Sequence, residues 1–390
     1  MENHWIAAWG TAQQLAMAAE AGGGPEMPDE APPEADLDTT PETVSAQTVR
    51  MVARSTVGGT AVRVALSNSF GHAPVRIGSA FLDGTQLTFS DHAEVVLPTG
   101  ALLYSDPIDY TVSPQTDLTV SLYLPDEKVA PTVHEVGLRT AWLAPGDQTA
   151  EPNLRDATEF QSYLWLTGID VLAPRGAATV IAFGDSLVDG METTPGADAP
   201  WPSVLARRFA ACRDLPPRAV VNMGISGNRV LRETDGMGAS ALARFDRDVL
   251  ARPGASWIVL FEGGNDLIFG SLPGMPESEQ ATAADLIDGY RLLLTRAHLH
   301  GLRVIGCTLP PIGGSPVFTP EFEDARQQVN RWIRDSGEFD AVTDLDAALR
   351  DPAEPTKTRS ELISDDGVHP NDSGHAAIAE AFDLELFRHA

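Results

Sequence analysis

At 390 residues the chain is longer than one hydrophobic core usually organises, and 43% hydrophobic with 21% charged residues excludes a disordered or fibrous protein. A formal charge of −28, from 55 acidic against 27 basic residues, repels phosphate backbones and anionic membranes, so no nucleic-acid or lipid-surface partner is expected. No apolar run reaches the roughly eighteen residues of a membrane-spanning helix, so no membrane span is expected.

The N-terminal Met-Glu-Asn-His-Trp has neither the basic nor the apolar region of a secretory signal. The expectation for the chain as written is a cytoplasmic protein, or a secreted or periplasmic one if a signal has been removed. Between Gln13 and Thr48 the composition turns to Ala, Gly, Pro and acid, with eight carboxylates and no Lys or Arg. Such a stretch buries too little to be a domain and reads as a surface excursion, with a lid over the site as the alternative.

From Val49 to about Tyr123 short runs alternate with period two: Val62–Leu66, Val75–Ile77, Gln86–Phe89, Ala93–Leu97 and Leu118–Tyr123, bounded by Gly58-Gly59, Asn68, Gly71, Pro98, Gly100 and Pro114. This spacing predicts an antiparallel β-sandwich, jelly-roll-like, over 1–173 with the acidic loop 13–48 emerging from it. His72, His92 and His134 in this half read as surface or core residues rather than ligands.

After Pro174-Arg175-Gly176 the rhythm changes. Apolar strands at Thr179–Phe183, Ala219–Val221, Trp257–Phe261, Val304–Leu309 and Ala341–Leu345 alternate with helices. These are expected at Trp201–Cys212, Ser240–Ala251, Ala283–His300, Pro320–Ser336 and Ser373–His389. The pattern predicts a three-layer α/β/α domain over 176–390, with a parallel sheet covered on both faces. Ligands of such sheets sit beyond the carboxyl ends of the strands. Cys212 and Cys307, in a helix and a buried strand, read as free thiols, a disulfide being the alternative.

Four segments at those strand ends carry chemistry. Gly184-Asp185-Ser186 follows the first apolar strand, where a serine can be held exposed as a nucleophile; alone it reads equally well as a structural turn. In Asp366-Gly367-Val368-His369 the three-residue spacing lets the Asp366 carboxylate reach Nδ1 of His369 and leave Nε2 free to accept a serine proton. That pair could instead be half of a metal site, although no other His-rich or acid-rich cluster supplies the remaining ligands. Gly227, in Gly224-Ile225-Ser226-Gly227-Asn228, could offer a backbone N–H to an oxyanion, and Asn265, in Gly263-Gly264-Asn265-Asp266, a side-chain amide. Either loop alone reads as a glycine-rich turn. Trp201 and Phe269 follow catalytic loops and are candidate substrate-lining residues, with core packing as the bland alternative.

Taken together, in this chain order, the four segments resemble the sequence blocks of the SGNH (GDSL-like) hydrolases: a GDS motif, a glycine block, a GxND block and a C-terminal DxxH. The resemblance covers about 176–390. It implies a flavodoxin-like α/β/α fold, a nucleophile at Ser186, a base at His369 oriented by Asp366, and oxyanion donors at Ser186, Gly227 and Asn265. No cofactor is required. The N-terminal half, at Trp5–Trp9, Ser67–Gly71 and Ser105–Pro107, resembles the sandwich preceding this domain in a bacterial subgroup of arylesterases and carbohydrate acetylesterases. The expected function is therefore a serine esterase acting through an acyl-enzyme on short-chain esters, with a small-molecule or carbohydrate ester as partner. A lysophospholipase or thioesterase is the alternative enzyme, and an inactive carbohydrate-binding protein the alternative of another class. Oligomeric state is not readable.

Overall fold

A computed structural model describes residues 3–15, 40–126, 128–272 and 275–389. The N-terminal half is built on two larger antiparallel sheets, with a three-stranded and a two-stranded sheet beside them. One runs in the order Asn3–Gly10, Leu166–Pro174, Val62–Ser67, Leu102–Tyr104; the other in the order Thr158–Phe160, Ala141–Pro145, Gln47–Ser55, Thr116–Leu124, Ser79–Leu82, Thr85–Gln86. Alternate residues of each sheet point inward. Val62, Val64 and Leu66 meet Val49, Met51, Ala53, Leu118, Val120 and Leu122 in one core, all of them fully buried. The expected sandwich is present.

Some element boundaries differ from the sequence reading. Of the expected strand at Gln86–Phe89, only Gln86 lies in a strand, Thr85–Gln86. Beyond it, Asp106 accepts the N–H groups of Ser90 and Asp91, which are held at positive φ, and this turns the chain. The ends of the acidic stretch belong to the sheets: Gln14–Leu15 pairs with Thr132–Val133, and Gln47 opens a nine-residue strand. Residues 16–39, most of that stretch, lie outside the described residues.

The C-terminal half is a five-stranded sheet, parallel throughout, in the order Arg218–Gly224, Ala178–Gly184, Ala255–Phe261, Arg303–Cys307, Ala341–Thr343. The strand Ala178–Gly184 is buried along its whole length, and successive residues feed opposite cores. Ile181 and Phe183 pack with helices Ala241–Phe245, Ala283–Leu299 and Pro320–Asp335. Val180 and Ala182 pack with helices Trp201–Ala211, Leu345–Leu349 and Asp372–Glu380. This is the expected three-layer arrangement.

Here too some ends move. The last strand stops at Thr343 because the Asp344 side chain caps a short helix, Leu345–Leu349. The strand read to Leu309 ends at Cys307. The final helix stops at Glu380 rather than His389, and a separate 3₁₀ turn, Leu384–Phe387, starts at the Asp383 cap. Cys212 and Cys307 are both free. No helix among the described residues is long and apolar enough to cross a membrane.

Candidate active site

The central strand delivers its last residues to the carboxyl edge of the sheet. Gly184 must be glycine, because a Cβ there would lie 2.0 Å from the Phe261 carbonyl oxygen of the neighbouring strand. Asp185 then accepts the Leu187 N–H at 3.0 Å and caps a one-turn helix, Ser186–Asp189. As the first helical residue, Ser186 has an N–H with no carbonyl one turn behind it.

The final loop brings its imidazole to that serine. His369 Nε2 lies 2.9 Å from Ser186 Oγ, and His369 Nδ1 lies 2.5 Å from Asp366 Oδ2. The other Asp366 oxygen accepts from Ser364 Oγ at 2.7 Å, Val368 N at 2.7 Å and His369 N at 2.9 Å. Partial burial opposes the charge on Asp366, but His369 and these N–H donors outweigh it and hold the carboxyl well below the usual range. Gly367 lets the loop turn: its φ is +70°, and a Cβ would meet the Gly314 backbone at 2.7 Å. Both imidazole nitrogens are thus engaged within the protein.

The two glycine-rich loops lie alongside. Gly227, at φ +75°, occupies the turn Ile225–Asn228, closed by the Asn228 N–H on the Ile225 carbonyl at 3.1 Å. Gly263, at φ +114°, leads into the helix Gly264–Ser271 that carries Asn265. The Asn265 amide donates to the Asn228 carbonyl at 2.9 Å, so the two loops are joined. Asp266 strengthens the junction by accepting the N–H groups of Val230 and Leu231 at 2.8 and 3.0 Å.

Behind the loops sits Arg244, fully buried, which donates to the carbonyls of Gly184 and Met223, both at 2.7 Å, and to Asn228 Oδ1 at 2.8 Å. It ties the nucleophile strand to the Gly227 loop. Nothing local in the sequence distinguishes this arginine, since its partners come from three separate segments. Around it lie carboxyls that burial drives upward: Asp266 to about 6, Asp185 to about 7 and Glu262 to about 8.

Trp201 and Phe269 correct the sequence reading. Trp201 is 0% exposed and stacks on Phe382 with ring centroids 5.2 Å apart. Phe269 is 5% exposed, and the Arg229 guanidinium lies 5.3 Å from its ring centroid. Trp201 is thus a packing residue of the core, without the free surface that a substrate-lining residue needs, and Phe269 is buried beside Arg229. A cavity of about 90 Å³ at the junction of the two halves is bordered by Trp9, His134, Tyr163, Asp189 and Asn222, but not by Ser186.

A comparison with curated proteins gives no match. Among solved structures the chain is similar to the acetylxylan esterase Axe2 of Geobacillus stearothermophilus, at 21% identity over 55% of this chain and 96% of that one, TM-score 0.42. It is similar also to the acetyl xylan esterase AlAXEase, at 21% identity over 52% of this chain and 96% of that one, TM-score 0.40. Residues 182–377, half of the chain, match the sequence model of the GDSL-like Lipase/Acylhydrolase family and span Ser186, Gly227, Asn265 and His369; the chain belongs to that family and is a carboxylic ester hydrolase.

Proposed function

We propose that the protein hydrolyses short-chain esters, acetyl esters of carbohydrates or aryl esters, through an acyl-enzyme on Ser186. Ser186 Oγ attacks the carbonyl carbon while His369 Nε2 takes its proton, and Asp366 stabilises the imidazolium that forms. The oxyanion is met by the N–H groups of Ser186 and Gly227 and by the Asn265 amide. Collapse expels the alcohol, protonated by His369. Water, deprotonated by the same imidazole, then frees the acid and restores the serine. No step calls for a cofactor.

The observation that carries this reading is the unbroken line from Asp366 through His369 to Ser186, with contacts of 2.5 and 2.9 Å. The preference for short acyl groups rests on the resemblance of the sandwich to that of the arylesterase and acetylesterase subgroup. Nitrophenyl esters from acetate to palmitate, assayed beside acetylated xylan, test it. Acetate is expected to turn over fastest, and Ser186→Ala to lose turnover while keeping its unfolding midpoint. Equal rates on acetate and palmitate would favour a lysophospholipase or thioesterase instead.

A further inference from the structure

His134 comes from the sandwich, at the end of the strand Thr132–His134, and is buried against the C-terminal half. Its Nδ1 lies 2.7 Å from the Ala12 carbonyl oxygen, and its Nε2 lies 3.0 Å from Asp189 Oδ1. A carbonyl oxygen only accepts, so Nδ1 carries a hydrogen; a second, on Nε2, makes the ring the cation of an ion pair with Asp189, whose Oδ1 has no directed hydrogen bond among the described residues. Burial alone would drive that second proton off. Burial is the largest single influence, but the Asp189 charge and contact and the backbone of Ala12 and Val136 together outweigh it, and the net effect raises the pKa of the ring.

Asp189 is the last residue of the nucleophile's one-turn helix and gives its other oxygen to the next loop. Oδ2 accepts the Ser226 N–H at 2.9 Å and the Ser226 hydroxyl at 3.1 Å. Ser226 and Gly227 are the central pair of the turn Ile225–Asn228, and positive φ at Gly227 makes it a type II turn. Type I and type II turns differ by rotation of the central peptide, here Ser226–Gly227. That rotation would reverse the direction of the Gly227 N–H. Holding Ser226 at both its nitrogen and its hydroxyl opposes it.

We propose that His134 is a positioning residue for the oxyanion-binding turn: its ring fixes Asp189, Asp189 fixes Ser226, and Ser226 keeps the Gly227 N–H in the orientation that oxyanion binding requires. The inference rests on the acyl-transfer reading above and gives the sandwich a part in the reaction. It is distinct from a packing role, which a phenylalanine of similar shape would fulfil.

The test uses the whole 390-residue chain with nitrophenyl acetate, measuring kcat, KM and the unfolding midpoint of His134→Phe, His134→Gln, Asp189→Asn and Ser186→Ala. His134→Phe is expected to lower kcat roughly 10- to 100-fold with KM changed less than about twofold, the signature of misplaced catalytic groups. His134→Gln, which keeps a donor for Asp189, loses less. Asp189→Asn matches the loss of His134→Phe, and the double variant is no worse than either, because both break one chain of contacts. If His134→Phe fails to fold, the comparison of His134→Gln with Asp189→Asn decides in the same way. Folded His134→Phe or Asp189→Asn with kcat within about twofold of the parent, or losses that multiply in the double variant, would overturn the proposal. Residual turnover in Ser186→Ala would instead sink the acyl-transfer reading, which separates the two failures.

Discussion

Among the described residues the amide of Asn265 donates one hydrogen bond. One hydrogen goes to the Asn228 carbonyl at 2.9 Å, which fixes the side chain; on the mechanism proposed above, the second meets the developing oxyanion. Because that charge exists only after attack, the contact belongs to the transition state rather than to the bound ester. Asn265→Ala is expected to lower kcat by roughly 10² to 10³ with KM nearly unchanged, in steady-state assays on nitrophenyl acetate. Full kcat in that variant would remove Asn265 from the oxyanion site. At this scale the sequence was most legible where partners are close along the chain, as with Asp366 and His369. Partners far apart stayed hidden: no local signal in the sequence links His134 to Asp189, nor Arg244 to the carbonyls of Gly184 and Met223. For Trp201 the choice between substrate lining and core packing stayed open in the sequence, because nearness to a catalytic loop along the chain says nothing of which way the helix turns it.

The strand Ala255–Phe261 is followed by Glu262, whose side-chain oxygens are buried without a hydrogen-bond partner among the described residues, the Arg244 guanidinium standing 3.6 Å away. Burial pushes this carboxyl up to about 8, whereas in the unfolded chain it titrates near ~4.3. Between those values the folded protein keeps a proton that the unfolded chain gives up, so this group's contribution makes stability fall as pH rises through that window. Each pH unit there is worth at most about 1.4 kcal/mol. Glu262→Gln removes the titration. Its unfolding free energy relative to the parent, from urea titrations, is therefore expected to be larger at pH 8 than at pH 5; an unchanged difference would mean that Glu262 is ionised in the fold. Elements with strong periodicity, such as Ala283–Leu299 and Pro320–Asp335, were legible almost to the residue. The short helix Leu345–Leu349 behind Asp344 was not, because five residues offer too little periodicity to set it apart from the strand before it.

Across the whole molecule the two halves share more than a linker. The first strand, Asn3–Gly10, pairs with Leu166–Pro174, sends Ile6 and Ala8 into the sandwich core, and packs Ala7 into the core of the C-terminal half. Thr179 Oγ1 donates to the Ala7 carbonyl at 2.9 Å, and Arg252 donates to the Thr167 carbonyl at 2.9 Å, so strands of the sandwich are bonded to the catalytic sheet. Pairing over such sequence distances has no local signature, which is why the alternation was readable from Val49 onward while the strand that closes the sheet was not. The same architecture brings Ser186 and His369 together across 183 positions. The most direct test of the account is labelling of the native protein with a fluorophosphonate, followed by peptide mapping. The account predicts one adduct, on Ser186, slowed strongly in His369→Ala and absent from Ser186→Ala. An adduct on another residue, or a folded native protein that stays unlabelled, would contradict it.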